Sequence, residues 1–460
     1  MRLEERPSRQ QRRCKDTRIV RSSEENVATK LQRIAIKASK DKRCQFTSLF
    51  HLMNKELLLE CFAQLKGNAA SGIDNVTKED YARKLDVNLE YLIERLHKMA
   101  YKPQPVLRVY IPKAGSKQRR PLGIPALEDK LVQAGLVKIL EAIYEQDFID
   151  DSYGFRPQRS CHDALRALSQ SVEAKPVNYI VEADIKGFFD HVDQEQLMAF
   201  LQHRIADKRI LRIIKRFLIA GVQEDGRHKA SERGTPQGGV ISPLLANIYL
   251  HYTLDLWFEK RVKRNSRGYA RLIRYADDYV ACFQNAEDAR HFMQAMEERL
   301  NQFHLEVAPE KTRLFEYGQF AQSKAKSRGE RTATFDFLGL THYCSRSRDG
   351  KRFRMKRKTA SKRFTAKLKG YKEWLKANRT LPTAEILKTT AAKLRGHFAY
   401  YGVTDNSRSI SNFAYQVTHT LFKWLNRRGK RGCYTWDKFL KLLKLYPLPK
   451  PRILVNLLSF

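Results

Sequence analysis

Two short segments carry acidic side chains that could bind metal ions together. Asp277 and Asp278 are adjacent, and the apolar runs on both sides of them predict a hairpin whose turn presents both carboxylates. Asp184 lies near the end of an apolar strand predicted over residues 177–185. Carboxylates from separate strands can hold two Mg²⁺ ions roughly 4 Å apart, an arrangement suited to phosphoryl transfer. The alternative is that the Asp-Asp pair makes a solvated turn and nothing more.

The cysteine and histidine residues do not indicate a second kind of metal centre. The seven cysteines are scattered along the chain, and no two have the Cys-x-x-Cys spacing of a zinc or redox motif. His162, His191, His251 and His397 lie far apart in the sequence and have no companion ligands at zinc spacing. We therefore expect reduced, mostly structural thiols, and histidines that are polar or core-edge residues.

The elements that must position the acids follow from the spacing of the apolar residues. Helical periods are predicted over residues 46–65, 81–99 and 127–144, and a strand over residues 107–111. Residues 112–120 are rich in Lys and Arg and predict a hairpin tip that could grip phosphates. Mixed helices and strands followed by a helical C-terminal third indicate the α+β fold class.

The charge of the chain points to a polyanionic partner. The 460 residues include 87 Lys and Arg against 50 Asp and Glu, a formal net charge of +37. Residues 351–379 alone hold thirteen Lys or Arg and one acid, with aromatic residues interleaved, which is typical of an amphipathic basic helix pair. Charge alone leaves RNA, DNA and an anionic membrane surface open. With no apolar run of 18 residues and no secretory signal, we expect a soluble, intracellular protein that uses no membrane.

Five blocks, and a further segment near the C-terminus, resemble those of a known family in the same order along the chain. Ala183-Asp184-Ile185-Lys186-Gly187-Phe188-Phe189-Asp190 and Tyr275-Ala276-Asp277-Asp278 look like the two catalytic palm motifs of reverse transcriptases. Group II intron reverse transcriptases have blocks similar to Tyr153-Gly154-Phe155-Arg156-Pro157, the segment Gly234–Pro243 and Phe337-Leu338-Gly339-Leu340. The segment Leu394–Gly402 looks like their maturase thumb. The resemblance runs from about residue 46 to the C-terminus.

The resemblance implies roles for individual residues at the polymerase site. Asp184, Asp277 and Asp278 would be the catalytic metal ligands, joined by the backbone carbonyl of Ile185. The incoming nucleotide would be contacted by residues of the basic tip and of the glycine-rich block, namely Lys113, Arg119, Arg120 and Gln237. Phe189 falls where these enzymes place an aromatic gate against the ribose 2′-hydroxyl, with Phe188 as the competitor. The alternatives are a solvated basic turn and a core phenylalanine.

The same resemblance makes the basic segment a thumb that contacts nucleic acid. Positive charges with interleaved aromatic residues can follow a phosphate backbone while they pack on the palm. The residues expected to do so are Arg352, Arg354, Lys356, Arg357, Lys358, Lys362, Arg363 and Lys367, together with Arg427 and Arg428 nearer the C-terminus. The alternative is a solvated helix face.

The implied architecture is a right-hand polymerase with fingers, an antiparallel palm sheet, a helical thumb and a small C-terminal DNA-binding domain. Its divisions are predicted as a basic extension over 1–45, fingers and palm over 46–344, the thumb over 345–405 and the DNA-binding domain over 406–460. Only Cys433 lies near the end of the chain, so we do not expect the Cys and His-bearing endonuclease of many relatives. That expectation favours priming from nascent replication strands.

The function implied is extension of a primer 3′-hydroxyl with dNTPs on an RNA template, using two Mg²⁺ ions, with Mn²⁺ as a substitute. The partners would be group II intron RNA, an RNA template with a DNA or RNA primer, and target DNA, with a homodimer left open. The expected location is the bacterial cytoplasm, including the nucleoid. Two rival interpretations are a splicing-only RNA chaperone and a domesticated relative used in defence or repair.

Overall fold

The computed structural model describes residues 26–112, 119–230, 233–235, 238–428 and 434–458. Its strands, in chain order, are β1 (Val106–Pro112), β2 (Arg119–Ile124), β3 (Tyr179–Asp184), β4 (Val222–Glu224), β5 (Arg227–Lys229), β6 (Ala270–Tyr275), β7 (Asp278–Phe283), β8 (Arg313–Glu316), β9 (Thr334–Phe337), β10 (Leu340–Arg346) and β11 (Phe353–Thr359).

The α-helices alternate with these strands and then dominate the C-terminal part of the chain. In chain order they are α1 (Val27–Lys40), α2 (Lys55–Gln64), α3 (Lys78–Ala82), α4 (Leu85–His97), α5 (Leu127–Tyr144), α6 (Cys161–Ala174), α7 (Phe188–His191), α8 (Gln194–Gln202), α9 (Lys208–Ile219), α10 (Ser242–Leu250), α11 (Lys263–Asn265), α12 (Ala286–Asn301), α13 (Ala321–Ser327), α14 (Ser361–Ala377), α15 (Thr383–Tyr401), α16 (Ser407–Leu425) and α17 (Trp436–Leu445). Two π-helical stretches, His251–Asp255 and Phe258–Val262, lie between α10 and α11.

The strands form three sheets, so the expected mixture of helices and sheets is present. The central sheet has the order β6-β7-β3-β8 and is antiparallel throughout. The sheet β9-β10-β11 is also antiparallel. In the third sheet, β2-β1-β4-β5, strands β1 and β4 run parallel and the other pairs antiparallel. The arrangement fits a reverse transcriptase fold.

The central sheet separates two hydrophobic cores. Side chains alternate between the faces of a strand. Val181, Ala183 and Tyr279 therefore pack into the first core, while Ile180 and Val280 pack into the second. A sheet buried on both faces holds its register tightly, because a slip of one residue would move every apolar side chain to the wrong side.

The N-terminal helices build the first core around α5. The helix predicted over 127–144 is confirmed at both ends, and α1 and α2 pack against it. The helical period predicted over 46–65 is interrupted, because the side chain of Asn54 accepts a hydrogen bond from the amide of Leu57 at 3.0 Å and so starts α2 there. Val27 and Ala38 of α1 are buried in this core, although they belong to the predicted extension over 1–45.

The second core joins the other face of the sheet to a bundle of three long helices. The helix pair predicted over 351–379 is wrong in its first half, which is β11. Met355, Arg357 and Thr359 are buried and alternate with residues that reach the surface, the period of a strand. Helix α16 packs on α14 and α15. The boundary predicted between residues 405 and 406 therefore falls inside this bundle.

None of the helices in the described ranges combines the length and the apolar composition that crossing a bilayer requires.

Candidate active site

Strand register brings the three acids predicted as catalytic to one end of the central sheet. Asp184, the last residue of β3, pairs with Asp278, the first residue of β7. Asp277 occupies the turn of the β6–β7 hairpin just before it, as the sequence predicted. The turn is made by Ala276, whose φ of 57° places it in the left-handed region. Two strands that are distant in sequence thus bring the three acidic residues to the same end of the sheet.

The carboxyl groups repel each other enough to disturb their ionisation. Burial raises the pKa of Asp277, and the charge of Asp184 raises it further. The pKa of Asp278 is raised to about 7, first by burial and then by the charges of Asp184, Asp277 and Glu182. A site that crowds anions in this way favours a bound cation, and hard oxygen donors suit Mg²⁺ or Mn²⁺. The donor set therefore fits the predicted metal ions.

In this structure the cation beside Asp184 is a lysine. The ammonium of Lys311 donates to Oδ2 of Asp184, and this hydrogen bond raises the pKa of Lys311. Within the described part of the chain, no three acidic, histidine or cysteine side chains are grouped so that they could hold a metal ion as they stand. Metal binding at Asp184 would therefore require Lys311 to release that oxygen. Nothing in the spacing of Lys311 in the sequence marks it as part of the site.

The backbone around Ile185 leaves its carbonyl group directed towards the hairpin. Ile185 forms an isolated antiparallel bridge with Val307. The bridge is closed by bonds from the amide of Lys186 to the carbonyl of Glu306 at 2.9 Å and from the amide of Ala308 to the carbonyl of Asp184 at 2.8 Å. In an antiparallel pair of this kind, the amide and carbonyl of Ile185 itself point away from the strand segment of Val307. Here that is the side of β7, which supports the role predicted for Ile185.

A buried arginine fixes the β6–β7 hairpin from behind. The guanidinium of Arg274 is fully buried and pairs with Asp255 through Nε at 2.7 Å and Nη2 at 2.5 Å. It also donates to Oδ1 of Asn247 at 3.0 Å and to the carbonyl of Ala276 at 2.9 Å. The left-handed residue before Asp277 is therefore held directly by Arg274. No pattern in the sequence marks Arg274 for this role, because its partners Asn247 and Asp255 lie on other elements.

The Tyr153–Pro157 block forms a strap along the same hairpin. The amide of Tyr153 donates to the carbonyl of Arg274 at 2.9 Å, and Nδ2 of Asn247 donates to the carbonyl of Gly154 at 2.7 Å. A Cβ atom on Gly154 would lie 2.3 Å from the amide nitrogen of Ala276. The strap can approach this closely only because residue 154 has no side chain.

The residues predicted to contact the nucleotide are only partly within the described structure. Lys113 and Gln237 lie outside it. Arg119 and Arg120 open β2 and are exposed, and the positive charge of Arg120 offsets part of the rise that burial causes in the pKa of Asp277. Arg120 thus acts on the catalytic end of the sheet. For Arg119 the structure gives its place in the strand opposite Pro112 and no contact with the acids.

The two candidate gate residues differ in exposure. Phe188 is buried, packing edge-on against Phe189 at 5.4 Å and tilted against Tyr249 at 6.4 Å. Phe189 is half-buried, and its carbonyl accepts from the amide of Thr235 at 2.8 Å. Phe188 therefore has the environment of a core residue, and Phe189 alone of the pair keeps a surface that a sugar could touch.

The basic residues of β11 do not share one surface. Arg357 is completely buried, donating from Nη2 to Oγ of Ser169 at 2.8 Å. Its predicted contact with nucleic acid is wrong, because the strand period turns it into the second core. Arg354 pairs with Glu173 at 3.0 Å, Lys356 is half-buried and Lys358 is exposed.

The remaining predicted nucleic-acid contacts lie at the tip of the β10–β11 hairpin or at the surface of the helical bundle. Arg352, Lys362 and Arg363 are exposed, and the Lys367 ammonium lies 4.7 Å from the ring centre of Tyr401. Arg427 stacks on Trp424, with its guanidinium 5.2 Å from the ring centre.

Arg428 is tied to the loop that precedes α15. It donates to Oγ1 of Thr383 at 2.9 Å and to the carbonyl of Leu381 at 2.7 Å. Both contacts belong to the bundle itself, so Arg428 has a structural task whether or not it touches nucleic acid.

Comparison with known proteins matches both halves of this arrangement. The family model described as reverse transcriptase (RNA-dependent DNA polymerase) matches residues 111–342, which include all three acids. The family model described as group II intron, maturase-specific domain, matches residues 361–441, which include the three-helix bundle.

Three curated proteins illustrate the range of similarity. The group II intron-encoded protein LtrA of Lactococcus lactis subsp. cremoris is 29% identical over 475 residues, covering 87% of this chain and 78% of that protein. Protein YkfC of Escherichia coli (strain K12) is 35% identical over 288 residues, covering 55% of this chain and 75% of that protein. The mitochondrial protein nuclear intron maturase 2 of Arabidopsis thaliana is 27% identical over 176 residues, covering 30% of this chain and 24% of that protein.

Proposed function

This chain belongs to the reverse transcriptase family, carries the maturase-specific domain of group II introns and is an RNA-directed DNA polymerase; on that premise we propose that it polymerises by two-metal catalysis and serves a group II intron. The polymerase reaction would take place at Asp184, Asp277 and Asp278. The observation that carries this proposal is the register that pairs Asp184 with Asp278.

The three carboxylates and the carbonyl of Ile185 would hold two Mg²⁺ ions, with Mn²⁺ as a substitute. When bound, these ions would activate the primer 3′-hydroxyl and balance the charge of the triphosphate. The protein contributes rigid alignment, since phosphoryl transfer depends on position and on cancelled charge more than on covalent chemistry. Arg274 supplies part of that rigidity through its bond to the carbonyl of Ala276.

The fingers would bind the triphosphate through Lys113, Arg119 and Arg120. The influence of Arg120 on Asp277 supports its place there. Phe189 would exclude the ribose 2′-hydroxyl, which its half-buried ring supports, and Gln237 would lie beside the nucleotide. Gly238 fits such a loop, because a Cβ atom there would lie 2.2 Å from the carbonyl oxygen of Gly123 on β2.

The exposed cations of the bundle would bind the primer and template and the intron RNA. Lys358, Lys362, Arg363 and Lys367 are the members of the predicted set that combine exposure with a place on β11 and α14. The C-terminal part of the chain, with Arg427 on its surface, would bind target DNA. Assistance to splicing and insertion of the intron into DNA would follow from holding these partners together; the LtrA relative is named as a group II intron-encoded protein.

Primer extension tests the polymerase half of this proposal. Purified protein should extend a DNA primer on a generic RNA template when Mg²⁺ and dNTPs are present. Asp277→Ala should abolish extension while leaving affinity for the primer–template within a few-fold. If the wild-type protein binds RNA and stimulates splicing but adds no nucleotide, the polymerase proposal fails and the splicing-only interpretation replaces it.

A further inference from the structure

A large basic cleft lies at the other end of the central sheet. It has a volume of about 1180 Å³ and is enclosed by the end of α6, the start of β3, the tip of the β10–β11 hairpin and Leu458. Asn178 and Gln284, which line it, directly precede β3 and follow β7. Asp184 lies six positions after Asn178, so at about 3.3 Å per residue the cleft lies about 20 Å from Asp184. It belongs to a different site.

Positive charge predominates in this palm-end cleft. Its lining includes five cations, Lys175, Arg348, Lys351, Arg352 and Arg354, against the acids Glu173 and Asp349. Of these five cations, Arg354 forms ion pairs with other described residues, namely Glu173 at 3.0 Å and Asp405 at 3.7 Å. The other four cations are exposed.

The acid at the hairpin tip forms no ion pair with these cations among the described residues, and its hydrogen bonds stay within the turn. The carboxylate of Asp349 accepts from the hydroxyl of Ser347 and from the amide of Lys351 at 3.1 Å, so it closes the turn. The backbone of the tip is bonded further between the amide of Ser347 and the carbonyl of Arg352 at 2.8 Å. Arg348, Lys351 and Arg352 therefore project from an ordered turn, which presents their charges to the cleft at low entropic cost.

An exposed aromatic ring stands at the edge of the same cleft. Phe320 keeps 55% of its surface accessible to solvent. It also lines a smaller neighbouring cavity of about 470 Å³, and the two cavities share Asn178, Gln284 and Phe320. A large apolar ring in an open groove among cations and side-chain amides has the properties of a stacking platform for a nucleobase.

The neutral side chains of the cleft favour RNA over DNA. Asn178, Gln284 and Gln319 offer amide donors and acceptors suited to 2′-hydroxyl groups and base edges. Asn178 is already oriented, because its Nδ2 donates to the carbonyl of Gln284 at 3.0 Å. Cations for phosphates, a ring for a base and amides for the sugar together match a single-stranded RNA segment.

We propose that the palm-end cleft binds a single-stranded segment of structured RNA at the same time as the polymerase site holds a primer and template. This binding site goes beyond the proposed function, which places nucleic acid on the bundle and at the catalytic carboxylates. The distance between the two ends of β3 means that neither ligand need displace the other. The cleft would anchor the enzyme to an RNA while it copies.

The first test removes the charges of the hairpin tip. Full-length protein is saturated with an unlabelled DNA primer–RNA template, and binding of a fluorescent single-stranded RNA of about 20 nucleotides is followed by anisotropy at several salt concentrations. The variant Arg348→Ala/Lys351→Ala/Arg352→Ala should bind at least about tenfold more weakly at low salt. The slope of log affinity against log salt should fall by about two, since three phosphate contacts are lost at about 0.7 each.

The matched control removes three charges elsewhere on the surface. Lys260→Ala/Arg261→Ala/Arg264→Ala alters exposed cations on the helical stretch that packs against the first core. It changes the net charge equally and should leave the salt slope near the wild-type value. Equal losses in both triple variants would overturn the proposal. So would equal affinity of the cleft for single-stranded DNA of the same sequence.

The second test removes the ring without changing the charge. Phe320→Ala should weaken RNA binding about fivefold or more while leaving the salt slope unchanged, because stacking is lost and phosphate contacts remain. Unchanged affinity would contradict the stacking role. Phe320→Ala should extend a generic primer at the wild-type rate, and Asp277→Ala should bind the second RNA normally. The experiments therefore distinguish a failure of the proposed RNA site from a failure of the proposed polymerase mechanism.

Discussion

The charges at the end of the central sheet where Asp184 pairs with Asp278 are held very differently from the exposed charges of β11 and α14. Arg274 is completely buried and bonded at every nitrogen, and Asp184 is bonded to Lys311. By contrast, Lys358 and Lys362 stand exposed at the surface. In the first region the identity of each charged residue determines geometry, whereas in the second the local sum of charge determines affinity. Substitutions in the two regions should therefore have different kinds of effect.

The largest effect is expected at the carboxylates. Asp277→Ala should lower the rate of primer extension by about four orders of magnitude, because a metal ligand acts as part of a unit whose members cannot replace one another. Single-turnover extension measures this. Lys362→Ala is the matched substitution in the second region and should change the rate only a few-fold. A comparable loss in Lys362→Ala would erase the distinction between the regions.

The buried ion pair behind the hairpin should give the next largest effect. Asp255→Asn leaves the guanidinium of Arg274 buried without its counter-charge, which should cost about 3–5 kcal/mol in the free energy of unfolding. Urea denaturation measures it. Glu259→Gln, which breaks the exposed pair with Lys263 at 2.9 Å, should cost about 0.5 kcal/mol or less. If both substitutions lowered the free energy of unfolding equally, burial would not explain the difference expected between the two ion pairs.

Two neighbouring residues of β11 sharpen the comparison further. Arg357→Ala should destabilise the fold by about 2–4 kcal/mol, because it empties a space in the second core, and should leave the affinity for RNA unchanged. Lys358→Ala should do the opposite, with unfolding altered by about 0.5 kcal/mol at most and RNA affinity lowered a few-fold. Thermal unfolding and filter binding on both variants check this. Weaker RNA binding by correctly folded Arg357→Ala protein would contradict it.

The smallest effect is an increase in stability. Asp278→Asn removes one of the mutually repelling carboxyl groups, so in the absence of divalent metal it should raise the free energy of unfolding by about 1 kcal/mol. Added Mg²⁺ should stabilise the wild-type protein and narrow the difference. A variant that is less stable than the wild type without metal would show that repulsion at this end of the sheet is already relieved by Lys311.

The sequence predicts correctly those helices and strands in which the spacing of apolar residues is unbroken from end to end. The helix Leu127–Tyr144, the strand that contains Asp184 and the hairpin around Asp277 were identified, because burial on both sides leaves nearly continuous apolar runs. Strand β11 was missed, since its abundance of Lys and Arg concealed the alternation that buries Arg357.

Contacts between distant segments could not be predicted from spacing. Lys311 reaches Asp184 from 127 residues away, and Asp255 reaches Arg274 from a different element. Neither residue stands in a pattern that marks it, because the chemistry of each depends on which segments the fold makes adjacent. The apolar pattern predicts both strands but not the register between them, so it could not show that Asp184 pairs with Asp278.

The close approach of Gly154 to Ala276 has a consequence for how this enzyme tolerates random change. A single methyl group at residue 154 would push against the turn from outside, 2.3 Å from a backbone nitrogen, and would displace two acids that it never touches. A library screened for loss of cDNA synthesis should therefore return Gly154→Ala beside the acids themselves. Gly154 makes no contact with the acids and would be overlooked in a ranking by distance to them. Its substitution would nevertheless have an effect similar to theirs, because it displaces the turn that positions them.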